Sequence, residues 1–431
     1  MKVCVHGLWH LGTVTAACLA VEGIETVGLD DNATAVADLQ QGDPPLFEPG
    51  LEALVRAGLG AGRLSFTTDT VAAVSHADVV WVAFDTPVDA DDRADVDFVK
   101  SRVAALFPHL KPGAVVLVSA QMPVGSVGDL ERRFAAQRPG APMHFACSPE
   151  NLRLGNAIDV FTNPGRIVVG VRSEAARAVL EPMLGRFCDH LIWMSVESAE
   201  MAKHALNAFL ATCITFTNEL ATLCERVGAD AAQVEQALRS EPRVGPNAYV
   251  KAGSAFGGGT LARDVRFLSQ LAERVQRPVG LIDSIIPSNL AHRQWPMRAL
   301  QSSLGGLEGH TVGVLGLAYK PGTDAIRRSA AVDLCGWLTA AGARVRAHDP
   351  QVSRLPEGLV PGVEVCSTLD AVLDGAEAVV VATEWPEFKA LSAQQLRARM
   401  ARPLVVDPNQ FVQATLAGRT DVEYLTIGKP A

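Results

Sequence analysis

The stretch AFGGGTLARDV at 255–265 sets three glycines before Thr260, Leu261, Ala262 and the charged pair Arg263–Asp264. Glycines let a backbone close around a ligand, and the arginine–aspartate pair brings charge for proton transfer, so the stretch reads as an active-site loop. The place where such a loop would present a nucleophile holds a threonine. A hydroxyl is a poor nucleophile unless a base stands beside it. A second stretch, GLWHLG at 7–12, follows an apolar run and opens a helix-like segment, and Asp30 lies about 18 residues on. That context and spacing match the dinucleotide fingerprint, in which the acid holds ribose hydroxyls and favours NAD over NADP. The middle glycine, which lets the backbone approach the pyrophosphate, is Trp9. Two readings follow: dinucleotide binding in an altered geometry, or a loop that has lost it.

The elements that must carry these loops are alternating strands and helices. KVCVHG (2–7) and ETVGLD (25–30) read as strands around a helix at 11–22, and ADVVWVAF (77–84) and AVVLVSA (114–120) are continuous apolar runs, the mark of strands covered on both faces. The C-terminal part repeats the plan in TVGVLGLA (311–318), ARVRAHD (343–349), AEAVVVATE (376–384) and LVVDPN (404–409). The fold class expected is α/β, two Rossmann-like doubly wound domains joined by a helical domain. Between them no Gly or Pro appears from about 196 until Gly228, and Met201, Ala205, Phe209, Phe216, Leu220 and Leu223 recur at helical spacing. A helix of roughly 30 residues would span about 45 Å, more than one small domain needs. It is read as a connector and a dimer face, or else as a long core helix of a monomer. The expected domains are 1–195, 196–298 and 299–431.

At 48% apolar and 20% charged, the chain of 431 residues can bury large cores. Its net charge of −9, with no basic run, argues against a nucleic-acid partner. MKVCVHG enters a strand at once, and no apolar run reaches the roughly 18 residues of a membrane helix. A soluble cytoplasmic protein without a membrane partner is expected. The eight cysteines are scattered without metal-ligand spacing, so free buried thiols are expected and no metal.

FEPGL (47–51), MPVGS (122–126), SPENLRLGNAIDVFTNPGRIVVG (148–170), AEMAKHALNAFLA (199–211), NELATLCERVGAD (218–230), RVG (243–245), FGGGTLARDV (256–265), GLAYKPGTDAIRRS (316–329) and ATEWPEF (382–388) run almost end to end. In this order they resemble the UDP-glucose/GDP-mannose dehydrogenase family of nucleotide-sugar 6-dehydrogenases. The resemblance implies an N-terminal NAD-binding domain, a dimerising helical middle and a C-terminal UDP-sugar-binding domain. In such enzymes the C6 hydroxymethyl of the sugar is oxidised twice, with a cysteine thiolate capturing the intermediate aldehyde.

Carried over by motif, Glu150 matches the acid that orients the hydrolytic water. Lys203 and Asn207, four apart on one helix face, match the pair holding the oxyanion and its water, and Asp264 matches the aspartate that assists proton transfer. The resemblance assigns cofactor contacts to Gly7, Trp9, Leu11, Gly12, Asp30, Pro87, Gln121 and Arg327. It assigns substrate contacts to Leu152, Arg153, Lys203, Asn207, Arg243, Tyr249, Lys251, Gly257 and Lys320, the arginine at 243 coming from a partner subunit.

The departures cluster. The family cysteine falls at Thr260, its proline at Ala262 and its lysine at Arg263. Trp9, Asp85 and Gln121 replace a glycine, a glycine and a threonine around the cofactor. The polar set stays while nucleophile and cofactor wall change, which favours altered chemistry over decay. Cys147, three residues before Glu150, could stand in as a nucleophile, but a buried bystander is the commoner case and is the reading taken. The expectation is an NAD-dependent oxidoreductase on a UDP-type nucleotide sugar, acting as a homodimer, with Thr260 in the catalytic loop. The alternatives are an epimerase-like enzyme recycling bound NAD, and a non-catalytic nucleotide-sugar-binding paralogue.

Overall fold

The computed structural model describes residues 1–87, 89, 94–150, 152–257 and 259–429. Asn151 of the SPENL segment and Gly258 of the glycine triplet lie outside the described residues. Two compact units divide the chain, Met1–Ala205 and Leu206–Ala431.

The first unit holds a sheet of eight strands: β1 (Lys2–His6), β2 (Glu25–Leu29), β3 (Leu64–Thr67), β4 (Val79–Val82), β5 (Val115–Val118), β6 (His144–Cys147), β7 (Ile167–Gly170) and β8 (Leu191–Met194). Their spatial order is β3-β2-β1-β4-β5-β6-β7-β8, parallel except where β6 meets β7. The apolar runs are explained by the pleat, since successive side chains point to opposite faces. Val79, Trp81, Val115 and Leu117 enter one core, while Val80, Val82, Val116 and Val118 enter the other. Both faces are covered, so no position in these strands can be polar without a partner.

The second unit repeats the plan with β9 (Thr311–Leu315), β10 (Arg344–His348), β11 (Val363–Val365), β12 (Ala378–Val381), β13 (Leu404–Val406) and β14 (Glu423–Leu425), ordered β11-β10-β9-β12-β13-β14 and all parallel. In both sheets the first and fourth strands lie side by side, and connections leave them in opposite directions. A crevice forms there beyond the carboxyl ends of the strands.

The gap-free segment forms one helix, Val196–Val227, of 32 residues. In the second unit its Ala208 and Ala211 pack with Val265 of the helix Thr260–Arg274 and Ile285 of the helix Gly280–Arg293. Phe209, Phe216, Leu223 and Val227 on the same helix stay between 51% and 77% exposed. The spacing of the first three places them on one face.

Candidate active site

The turn after β1 keeps the shape that a dinucleotide needs. Gly7 sits at φ +96, and a Cβ there would press to 2.7 Å from the Phe84 ring. A Cβ on Gly12 would run into the carbonyl oxygen of Gly7. Those two positions therefore require glycine. Trp9 does not, because its φ is −79, open to any residue, and it precedes the helix His10–Val21 with its side chain exposed to solvent. Tryptophan at the middle position thus leaves the main-chain turn intact.

Asp30 fixes the turn from the next strand. Its Oδ2 accepts the Leu8 N–H at 2.8 Å and its Oδ1 accepts the Asn32 N–H at 2.9 Å. It remains half-buried, with its carboxylate at the rim of the crevice. Leu11 is buried and packs the helix onto the sheet. The first N–H groups of any helix lack intrahelical acceptors and attract anions. Turn, helix end and acid together fit the pyrophosphate and ribose of NAD.

The second sheet uses its equivalent acid differently. Asp349, at the end of β10, is buried and accepts N–H groups from Leu317, Ala318, Gln351 and Val352 and the indole N–H of Trp385. With all its lone pairs engaged it holds the loops and has nothing left for a ribose.

Beyond β5 and β6 of the first unit a cleft is lined by Gln121, Cys147, Glu150, Glu200, Lys203 and His204 among others. Lys203 donates to the main-chain oxygen of Glu150 at 2.6 Å, with the Glu150 carboxylate 3.8 Å from the same nitrogen. The Glu150 carboxylate also accepts the Leu152 N–H at 2.7 Å. Gln121 is buried, and its carbonyl accepts from the Thr86 hydroxyl at 2.8 Å.

Sequence reasoning missed the residues that hold this arrangement. Glu200 is buried and accepts the N–H groups of Gly125 at 2.7 Å and Val127 at 2.9 Å. It serves as the cap of the helix Ser126–Gln137, whose own N-cap is a glycine with no side chain. Burial pushes the Glu200 carboxyl up, while those two N–H bonds pull it down. His204 Nε2 lies 3.0 Å from the Met122 carbonyl oxygen. The start of the long helix is thereby pinned on both sides of Lys203.

Cys147 is a buried bystander, not a substitute nucleophile. It lines the cleft but is buried, and burial, with the Glu200 charge adding to it, holds its thiol well above the usual range. A thiol kept protonated neither attacks nor leaves readily. All eight cysteines are free.

In the second unit Asn207 donates from its side-chain nitrogen to Asp264, and both are buried. Thr260 is the exposed first residue of the same helix as Asp264. The loop leading to it is held by side chains instead of by a sheet. Asn218 accepts the Gly253 N–H at 2.9 Å, Asn409 accepts the Ser254 N–H at 2.7 Å, and His292 Nε2 lies 2.9 Å from the Gly253 oxygen. Asn289 matches both main-chain groups of Phe256, at 2.9 and 3.0 Å. Gly257, exposed, comes next, and a Cβ there would lie 3.6 Å from the Arg328 oxygen.

Arg243 is exposed and pairs with Glu241 at 2.8 Å, and Tyr249 and Lys251 are exposed. Lys320 lies 5.7 Å over the Tyr319 ring, and Arg327 is exposed just before the helix Ala330–Ala340. Arg153 and Pro87 are exposed, whereas Leu152 packs against the core.

Three family models match the chain: the NAD binding domain of the UDP-glucose/GDP-mannose dehydrogenase family over residues 1–187, its central domain over 197–291 and its UDP binding domain over 313–414. The UDP-glucose 6-dehydrogenase TuaD of Bacillus subtilis (strain 168) is 33% identical over 435 residues, covering 100% of this chain and 94% of that protein. A UDP-glucose 6-dehydrogenase of Rhizobium meliloti (strain 1021) is 33% identical over 438 residues, covering 100% of both. Among solved structures, a UDP-glucose dehydrogenase from the hyperthermophilic archaeon Pyrobaculum islandicum superposes with a TM-score of 0.86 at 31% identity, covering 98% of this chain and 96% of that one. The chain therefore belongs to the UDP-glucose/GDP-mannose dehydrogenase family of NAD-dependent nucleotide-sugar dehydrogenases.

Proposed function

We propose that the chain oxidises the C6 hydroxymethyl of a UDP-glucose-like nucleotide sugar without a covalent enzyme intermediate. The observation that carries this is that each unit keeps its polar pair: Lys203 is bound to Glu150 in the first, and in the second Asn207 is bound to Asp264, on the helix that the exposed Thr260 begins. NAD, when bound, accepts hydride from C6. Lys203 removes the hydroxyl proton as that hydride leaves, directly or through water, which is worth about 10²–10⁴-fold. The alcohol becomes an aldehyde, NAD becomes NADH, and the proton ends on the lysine. Asn207 and Asp264 steady the oxygen as its charge develops. Glu150 places water on the aldehyde, and the hydrate so formed would slowly give the carboxylate once a second NAD replaced the NADH to take its hydride, the protons passing to solvent.

In this reading residues 1–195 bind the dinucleotide, 196–298 dimerise and 299–431 bind the nucleotide sugar. The apolar stripe from Phe209 to Val227 meets a second copy, which supplies Arg243. The relatives' names support the sugar and the position of oxidation. The test is to count NADH released per UDP-glucose consumed. A fast phase of about one equivalent, followed by a slow one, is expected when no thioester forms. No NADH with any nucleotide sugar would sink the proposal.

A further inference from the structure

The segment FEPGL places Glu48 inside the first unit, with its side chain almost wholly removed from solvent. A carboxylate taken out of water costs several kcal/mol unless donors surround it. Three donors converge here. His10 Nε2 lies 2.9 Å from Oε2, the Gly155 N–H donates to the same oxygen at 2.8 Å, and the Ala157 N–H donates to Oε1 at 2.8 Å.

The donors come from two places that the chemistry must bring into step. His10 is the first residue of the helix that follows the GLWHLG turn, so it moves with the dinucleotide site. Gly155 and Ala157 end the loop that begins at Glu150, and Ala157 starts the helix Ala157–Thr162. Gly155 adopts φ +87, a conformation that favours glycine and that aims its N–H at Glu48. Neither stretch reaches Glu48 through regular secondary structure. The two stretches pack through the helices His10–Val21 and Ala157–Thr162, and Glu48 adds a buried polar link between their ends.

We infer that Glu48 couples the dinucleotide turn to the loop that carries Glu150. Glu48 is a positioning residue in this role. Whatever fixes His10 fixes the Glu48 oxygens, and through them the N–H groups five and seven residues past Glu150. Filling the dinucleotide site then orders the loop that places water on the aldehyde. This rests on the reading of NAD and Glu150 given above.

Hydrogen exchange at the amides of Gly155 and Ala157 tests the coupling without requiring turnover. His10→Ala leaves both main-chain bonds to Glu48 possible and removes only the third donor. Exchange at those two amides should be about tenfold faster than in the natural chain, both before and after NAD is added. NAD should slow it in the natural chain and much less in the variant. With saturating NAD and sugar, kcat should fall about fivefold, a loss that weaker cofactor binding alone does not produce.

Glu48→Gln sets an amide NH₂ against donors and should break both links. Adding His10→Ala to it should then cost little more, because the two residues act as one unit. Unchanged exchange at both amides in His10→Ala, or kcat within twofold of the natural chain, would overturn the coupling. Altered exchange in a chain that oxidises no nucleotide sugar would support the coupling and remove the proposed oxidation instead.

Discussion

The side-chain nitrogen of Lys203 is bonded to the main-chain oxygen of Glu150 at 2.6 Å, closer than it stands to the carboxylate of the same residue at 3.8 Å. The lysine thus follows the path of the loop, whatever the rotamer of Glu150. Lys203→Met keeps the apolar stem and loses the nitrogen. Its kcat should fall by about 10²–10⁴-fold with the KM values changed far less, as expected for a proton acceptor. Lys203→Arg should fail as well, since a planar guanidinium that stays protonated cannot act as the base. Steady-state kinetics decide the matter, and near-normal kcat in Lys203→Met would remove the lysine from the reaction.

Thr260 is the first residue of a helix, the position at which a thiolate is best stabilised. Thr260→Cys should open a covalent route for the second oxidation. The yield of NADH per sugar in the fast phase should rise from about one to about two equivalents. A trapped thioester seen by mass spectrometry would confirm the route. If stoichiometry and phases are unchanged, the threonine is not what separates this chain from a thiol mechanism.

Gly12 and Trp9 should respond in opposite ways to change. Gly12→Ala puts a Cβ into the Gly7 oxygen and should cost more than about 2 kcal/mol of stability together with NAD affinity. Trp9→Gly relieves nothing, because Trp9 already has an ordinary φ. It should change stability by no more than about 1 kcal/mol. Thermal melts and NAD titration of both variants would show it. Equal damage from the two would mean that the turn is not held as described.

His6 lies at the end of β1, buried against the edge of the Phe84 ring at 4.6 Å between centroids. Burial, with the Arg102 charge adding to it, pushes its pKa down to about 3. The unfolded chain takes up a proton near pH 6.5 that the folded chain refuses until near pH 3. Stability from this residue is therefore present above about pH 6.5 and is lost as pH falls through that window. His6→Leu should flatten the curve, shrinking the difference in unfolding free energy between pH 7 and pH 4 by up to about 3 kcal/mol. Urea titrations at the two pH values measure this, and identical differences in both proteins would refute it.

The central strands were legible because they are apolar runs buried on both faces, as at Val79–Val82 within 77–84 and Val115–Val118 within 114–120. Strands such as Leu64–Thr67 and Val363–Val365, partly exposed and short, gave no such run. The long helix was legible because nothing in 196–227 interrupts it. The chemical residues were reached by motif, but that Lys203 bonds Glu150 and Asn207 bonds Asp264 was not read from the sequence.

The braces were not legible, because their partners lie far along the chain. Glu48 bonds residues 107 and 109 positions away, and Asn409 holds Ser254 across 155. No local pattern announces such contacts. The one available hint was chemical: asparagine and glutamate placed within otherwise apolar or helical stretches need a reason to be there.

The helix Val196–Val227 carries Lys203 near one end and four uncovered apolar side chains further along. Each residue added to a helix turns everything beyond it by about 100° and advances it by about 1.5 Å. A single insertion after Asn207 would leave the lysine where it is and swing the stripe a quarter-turn or more away. Length and phase are thus fixed together in this rod, so substitutions should be tolerated along it far better than any change in residue number.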